Sequence, residues 1–132
     1  MSYATILAGL HERLVTVTGL NAVLDYVPTA VQDPPIVYSL LQRASITRSG
    51  QVVATTYRIL HRVVIRWQDN EQAEIEASPF VNAIPAAVAA DPHLGGALTS
   101  GYAEISECDS GFADIGEVTY RILDFYSTVV EK

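Results

Sequence analysis

The stretch that decides the reading of this chain is Val52–Trp67, VVATTYRILHRVVIRW. It is rich in β-branched and aromatic residues, and its apolar positions recur every second residue, the signature of a strand with one buried side. Val53, Tyr57, Ile59, Val63, Ile65 and Trp67 share one face, with His61 among them, while Arg58, Arg62 and Arg66 occupy every second position of the other. Upstream, Ile36, Tyr38, Leu40, Ala44 and Ile46 also alternate, with an interruption at Gln42, and Arg48-Ser49-Gly50-Gln51 between the two runs has turn composition. The expectation is a long antiparallel hairpin, apolar on one side and striped with arginine on the other.

Outside this hairpin the period changes. Ile6, Leu7, Leu10, Leu14 and Val17 recur at three- and four-residue spacings, which predicts a helix over residues 3–18, capped by Ser2 and stopped by Gly19. Leu20–Pro35, with Pro28, Pro34 and Pro35, reads as a linker. A second helical region covers residues 69–90. Asp69 with Gln72 forms a capping pair, and Glu71, Glu74 and Glu76 suit the positive helix end. Ala73, Ala77, Phe80, Val81, Ile84, Ala87 and Val88 form its apolar stripe. Ser78-Pro79 predicts a break or kink there, and Pro85 argues against a straight rod. Asp91-Pro92 ends the helix, and Leu94-Gly95-Gly96 makes a tight exit. Strands over 99–108 and 115–129, joined across Asp109-Ser110-Gly111, complete the order helix, strand, strand, helix, strand, strand. The expected fold is α+β, one domain over residues 1–132, with a mostly antiparallel sheet of two hairpins and both helices on one face (α-β-β-α-β-β). The pentapeptide TYRIL occurs at Thr56–Leu60 and again at Thr119–Leu123, which either marks a duplication or reflects two strands obeying one alternation.

Composition excludes several classes. The chain has 132 residues, 49% hydrophobic and 17% charged, and so is neither disordered nor too small for a core. Its longest uncharged stretch, Ala77–Ala90, contains Asn82 and two prolines and is too short to span a bilayer. No basic patch precedes an apolar run at the N-terminus, so the chain is expected to stay in the cytoplasm where it is made. Cys108 is alone, and the carboxylates beside it raise its pKa, so neither a disulfide nor an activated thiol is expected. His11, His61 and His93 lack ligand spacing, no serine sits in a G-x-S-x-G elbow, and Gly95-Gly96 follows a helix instead of opening one. No catalytic, cofactor-binding or metal residue is assigned, and no cofactor is expected.

Charge is the informative quantity. The chain carries −7, which opposes sequence-independent nucleic-acid binding. Residues 1–68 hold six arginines against three carboxylates, a net +3, whereas residues 69–132 hold two basic residues against twelve carboxylates, a net −10. A subunit with a basic part and an acidic part attracts its own copies head to tail, and such contacts close into a ring when the rotation permits. On this reading Arg58, Arg62 and Arg66 meet carboxylates of a neighbouring copy. The plainer alternative is that they form a solvated face.

One segment is more specific. An alanine-rich helix running into Ala89-Ala90-Asp91-Pro92-His93-Leu94-Gly95-Gly96, followed by acidic strands, resembles the tail-terminator (tail-completion) proteins of long-tailed bacteriophages, whose corresponding helix ends in an Asp-Pro-x-Leu-Gly-Gly turn. The N-terminal helix, the hairpin Ile36–Trp67 and the final strand Val118–Val129 fit that layout, so the resemblance spans most of the chain. Pro79 and Pro85 depart from it, since this helix is smoother in the group. The resemblance implies a structural virion protein, made in the host cytoplasm and resident in the tail or neck. Such proteins form a ring, generally a homohexamer, that caps the tail tube, ends its polymerisation and offers a surface to the head-side connector; DNA passes through without specific binding. On these terms Arg58, Arg62, Arg66, Glu104 and Glu107 serve the subunit interface, and Thr47, Arg48, Ser49, Gly50 and Gln51 touch the tube. Asp91, Pro92, Leu94, Gly95 and Gly96 form a structural turn. Rival readings are another neck, head-completion or tail-tube subunit, or a small α+β binding module unrelated to phage.

Overall fold

The apolar face of residues 52–67 becomes the floor of the core. The computed structural model describes residues 3–98 and 100–131. Its elements are α1 (Tyr3–Leu14), β1 (Ala22–Leu24), β2 (Ile36–Ser49), β3 (Val52–Arg66), α2 (Asn70–Ala89), β4 (Tyr102–Ile115) and β5 (Val118–Glu131). The fold is α+β: one five-stranded mixed sheet in the order β1-β2-β3-β5-β4, with β1 parallel to β2 and the remaining pairs antiparallel. Both helices pack on one face. There Leu14, Val17, Phe80 and Ile84 meet Val37, Val63, Ile65, Leu123 and Phe125, while Ile6, Leu10 and Val88 meet Ile59 and Val129. On the opposite face a smaller cluster, Ile36, Tyr38, Val64, Ile115 and Tyr120, lies under Ala22, Leu24 and Val31 of the segment that follows α1.

Several local expectations change. The first helix ends at Leu14, not Thr18: Thr16 and Val17 bond back three residues, to Arg13 and Leu14, which tightens the last turn while still burying Val17. The proposed cap Ser2 lies outside the described residues. The linker contains β1, too short to show a period and held in place by Asn21, whose backbone N–H donates to Pro35 O and whose side chain donates to Asp33 O and Pro34 O. The second helix is not broken at Pro79. It runs continuously from the Asp69 cap, where Oδ1 accepts the Gln72 N–H at 2.8 Å, through Pro79 and Pro85. The carbonyls those prolines leave without an N–H donor belong to Ile75 and Val81, both exposed residues, while Ala77, Phe80, Ile84 and Val88 hold the packed stripe.

In the sheet, the interruption at Gln42 is a β-bulge, and it exchanges the faces of β2. Ile36 and Tyr38 point away from the helices, but beyond the bulge Ala44 and Ile46 share a side with Tyr57 and Thr55, the helix side. Asp109-Ser110-Gly111 is no turn. It lies inside β4, and the chain reverses at Gly116-Glu117, with φ of 59° and 70°, the two positive values a tight turn between twisted strands requires. Gly116 is also held by space, since a Cβ there would stand 2.7 Å from Thr29 O. The two TYRIL segments occupy the paired central strands, but Tyr57 packs on the helix side and Tyr120 on the other. A two-fold axis relating antiparallel neighbours preserves the face, so the repeat reflects shared alternation and not equivalent positions.

Candidate assembly surfaces

The arginine stripe of β3 lies on the sheet face away from the helices, as its alternation requires, and the chain itself supplies partners for two of its members. Arg62 donates to both oxygens of Asp124 on β5, at 2.7 and 2.9 Å, and its third nitrogen reaches Tyr38 Oη at 3.1 Å. Asp124 is buried, and this forked contact, more than the charge alone, raises the guanidinium pKa still further. Arg58 donates to Gln42 Oε1 at 2.6 Å, lies 4.4 Å from the centre of the Tyr126 ring, and reaches Glu107 of β4 at 3.3 Å. Arg66 and Glu104 form no ion pair among the described residues. Of the five residues expected at a subunit contact, then, Arg58, Arg62 and Glu107 already pair within one chain. Sequence reasoning overlooked Asp124, because its pairing with Arg62 depends on the β3·β5 register, which no local pattern reveals.

The tip Thr47–Gln51 stands at the end of an antiparallel arm. Among the described residues Thr55 is the last of β3 paired with β5, through Glu131, and Arg48–Val53 beyond it is exposed on both faces. Gly50, at φ 63°, makes the reversal. On the helix side of the arm Ile46 is 72% exposed and Val53 41%, because the helices stop short of it.

Asp91–Gly96 joins α2 to β4. Asp91 Oδ2 accepts the Gly95 N–H at 2.7 Å, and Leu94, Gly95 and Gly96 all have positive φ, at 52°, 69° and 89°. The unusual backbone of Leu94 drives its side chain into the core against Gly9 of α1, where a Cβ would stand 2.9 Å from Leu94 Cβ. Pro92 O accepts the Ala103 N–H at 2.8 Å and His93 Nδ1 meets Gly101 O at 2.9 Å, so the turn anchors the start of β4.

His61 is fully buried between Ser39 Oγ (2.7 Å, at Nδ1) and Ser127 Oγ (2.8 Å, at Nε2), and burial lowers its pKa to about 4. Both nitrogens are bonded and no solvent reaches them, so the imidazole is a satisfied core group. His11 pairs with Asp25 at 3.0 Å. Cys108 is exposed on β4, and partial desolvation of its sulfur, then Asp109 and Asp124, push its thiol pKa up. On the helix side Arg121, also overlooked in the sequence, donates to Glu74 Oε1 of α2 and to Gly111 O, both at 2.8 Å, and lies over Phe112, which meets Trp67 edge-on. Among the described residues no group of His, Cys, Asp and Glu side chains would hold a metal ion, and no helix is long and apolar enough to cross a membrane.

No family model matches this chain, and no curated protein matches it. Its fold is similar to that of a chain in a solved structure described as the virion of a native gene transfer agent particle, with a TM-score of 0.53 at 16% sequence identity, over 99% of this chain and 100% of the other. At that identity the likeness concerns the fold, and it runs from end to end.

Proposed function

We propose that this chain is a structural subunit of a phage-like virion, acting as a tail terminator: copies form a ring, six-membered as in the group it resembles, that caps the tail tube and presents its other side to the head-side connector. The observation that carries this reading is the end-to-end fold likeness to a virion component, in which neither chain has a substantial part left over. The Asp91–Gly96 turn agrees with it. The tip Thr47–Gln51 is assigned to the tube, since it projects past the covered part of the sheet, and Arg66 and Glu104 remain available to a neighbouring copy. DNA crosses the lumen without specific contacts, an assignment that the net charge of −7 favours. The test is assembly of the tube subunit from the same particle with and without this protein. A terminator yields tubes of limited length with a ring at one end. Unchanged tube lengths contradict the reading, and unlimited cylinders made from this protein alone move it to the tube itself.

A further inference from the structure

Both long edges of the sheet are open, and they carry opposite charge. β1 covers β2 only at Ile36–Tyr38, so among the described residues the outer edge from Ser39 to Ser49 has no strand beside it, and its charged residues are Arg43 and Arg48. At the far edge, Pro92 O engages only the start of β4, and Glu104, Glu107, Asp109 and Asp114 follow with no basic residue among them. A bulge interrupts each edge strand, at Gln42 and at Ser106.

Each edge also sets two like charges at directly opposed register positions. Arg43 stands directly opposite Arg58 in the β2·β3 register, and Asp109 directly opposite Asp124 in the β4·β5 register. Like charges in such positions repel. Arg58 and Asp124 have partners of their own, Glu107 and Arg62, whereas Arg43 and Asp109 form no ion pair among the described residues. All of these side chains except Arg48 and Asp114 lie on the face away from the helices.

We propose that the open edge of β2 in one copy pairs with β4 of the next copy, placing Arg43 beside Asp109 and continuing the sheet from subunit to subunit. This rests on the ring reading above and names its seam. Self-pairing of either edge would oppose like charges, so only the head-to-tail contact is favourable. Along the order β2-β3-β5-β4 each neighbour reverses direction, so β2 and β4 run oppositely. Rotation about an axis along the strands preserves that, and the seam is antiparallel. The offset that sets Arg43 opposite Asp109 sets Ala44 opposite Cys108 on the helix side.

The experiment uses two full-length variants, Arg43→Glu and Asp109→Lys, alone and mixed, read by native mass spectrometry and thermal melting. Each substitution replaces a like-charge pair of register partners by an opposite-charge pair, so at a dilution where wild type is monomeric each variant melts no lower than wild type. Each alone loses its rings, because every seam then joins like charges. An equimolar mixture regains them with the two chains alternating, since every seam again joins opposite charges. Oxidising Ala44→Cys then gives a disulfide ladder beyond the dimer, through the native Cys108, and Cys108→Ser removes it. Rings from either charge variant alone, no recovery in the mixture, or no ladder overturn the seam while leaving the ring intact. A wild-type protein that stays monomeric overturns the seam and the ring together.

Discussion

At the residue scale, the Arg62–Asp124 contact and the buried His61 govern stability. Asp124→Asn keeps the shape but removes the charge that two guanidinium bonds address, and it should cost about 2 kcal/mol in urea unfolding, the usual range for bonds to a charged group. A loss below a few tenths would show that solvent already serves Arg62. His61 sets a pH dependence. Its folded pKa, about 4, lies below the unfolded value of 6.5, so between those values the unfolded chain binds a proton the folded one rejects. The contribution is fully present above the unfolded value and is lost as the pH falls toward the folded one, in total about 3 kcal/mol. His61→Gln should be less stable at neutral pH but show a flatter decline between pH 6.5 and 4 than wild type. Parallel pH profiles for the two would remove the assignment. His61 was legible in the sequence as a member of an apolar face; its serine partners were not, because Ser39 and Ser127 reach it only across neighbouring strands.

Among elements, strands wherever alternation ran long and the Asp69 cap were readable from local pattern. What escaped was set by contacts distant in sequence. β1 exists because Ala22–Leu24 lies beside Ile36–Tyr38, and α2 survives its prolines because its buried stripe faces β4 and β5. Asp109-Ser110-Gly111 has turn composition but is held extended against Leu123 and its neighbours on β5. Gly101 is a second case of distant control, since a Cβ there would lie 1.8 Å from Val130 O, closer than any rotamer can relieve. Gly101→Ala should therefore destabilise strongly, lowering Tm by several degrees at least, and should loosen the start of β4 in hydrogen exchange. A wild-type melting curve would show that β4 can move aside. Replacing Arg48–Val53 by a two-residue Asn-Gly turn, which keeps Thr47 opposite Ala54, should leave the melting temperature close to wild type and abolish tube capping. Normal tail lengths with this variant would take the tip out of the tube contact.

For the whole molecule, the charge division seen along the sequence becomes a division between the two edges of one sheet, because β2 and β3 fill one half and β4 and β5 the other. The arginine stripe itself turned largely inward, to Asp124 and Glu107, so the residues with most to gain from a neighbour are Arg43 and Asp109 at the margins. Sequence periodicity assigned faces well but could not say which strand ends at an edge, since that depends on strand order. The proposed role depends on association of this protein with its own copies. Native mass spectrometry of the purified wild-type chain, over a range of concentrations and at low and high salt, measures that directly. A single closed stoichiometry that weakens as salt screens the seam is the predicted result; a monomer at every concentration and salt would contradict it.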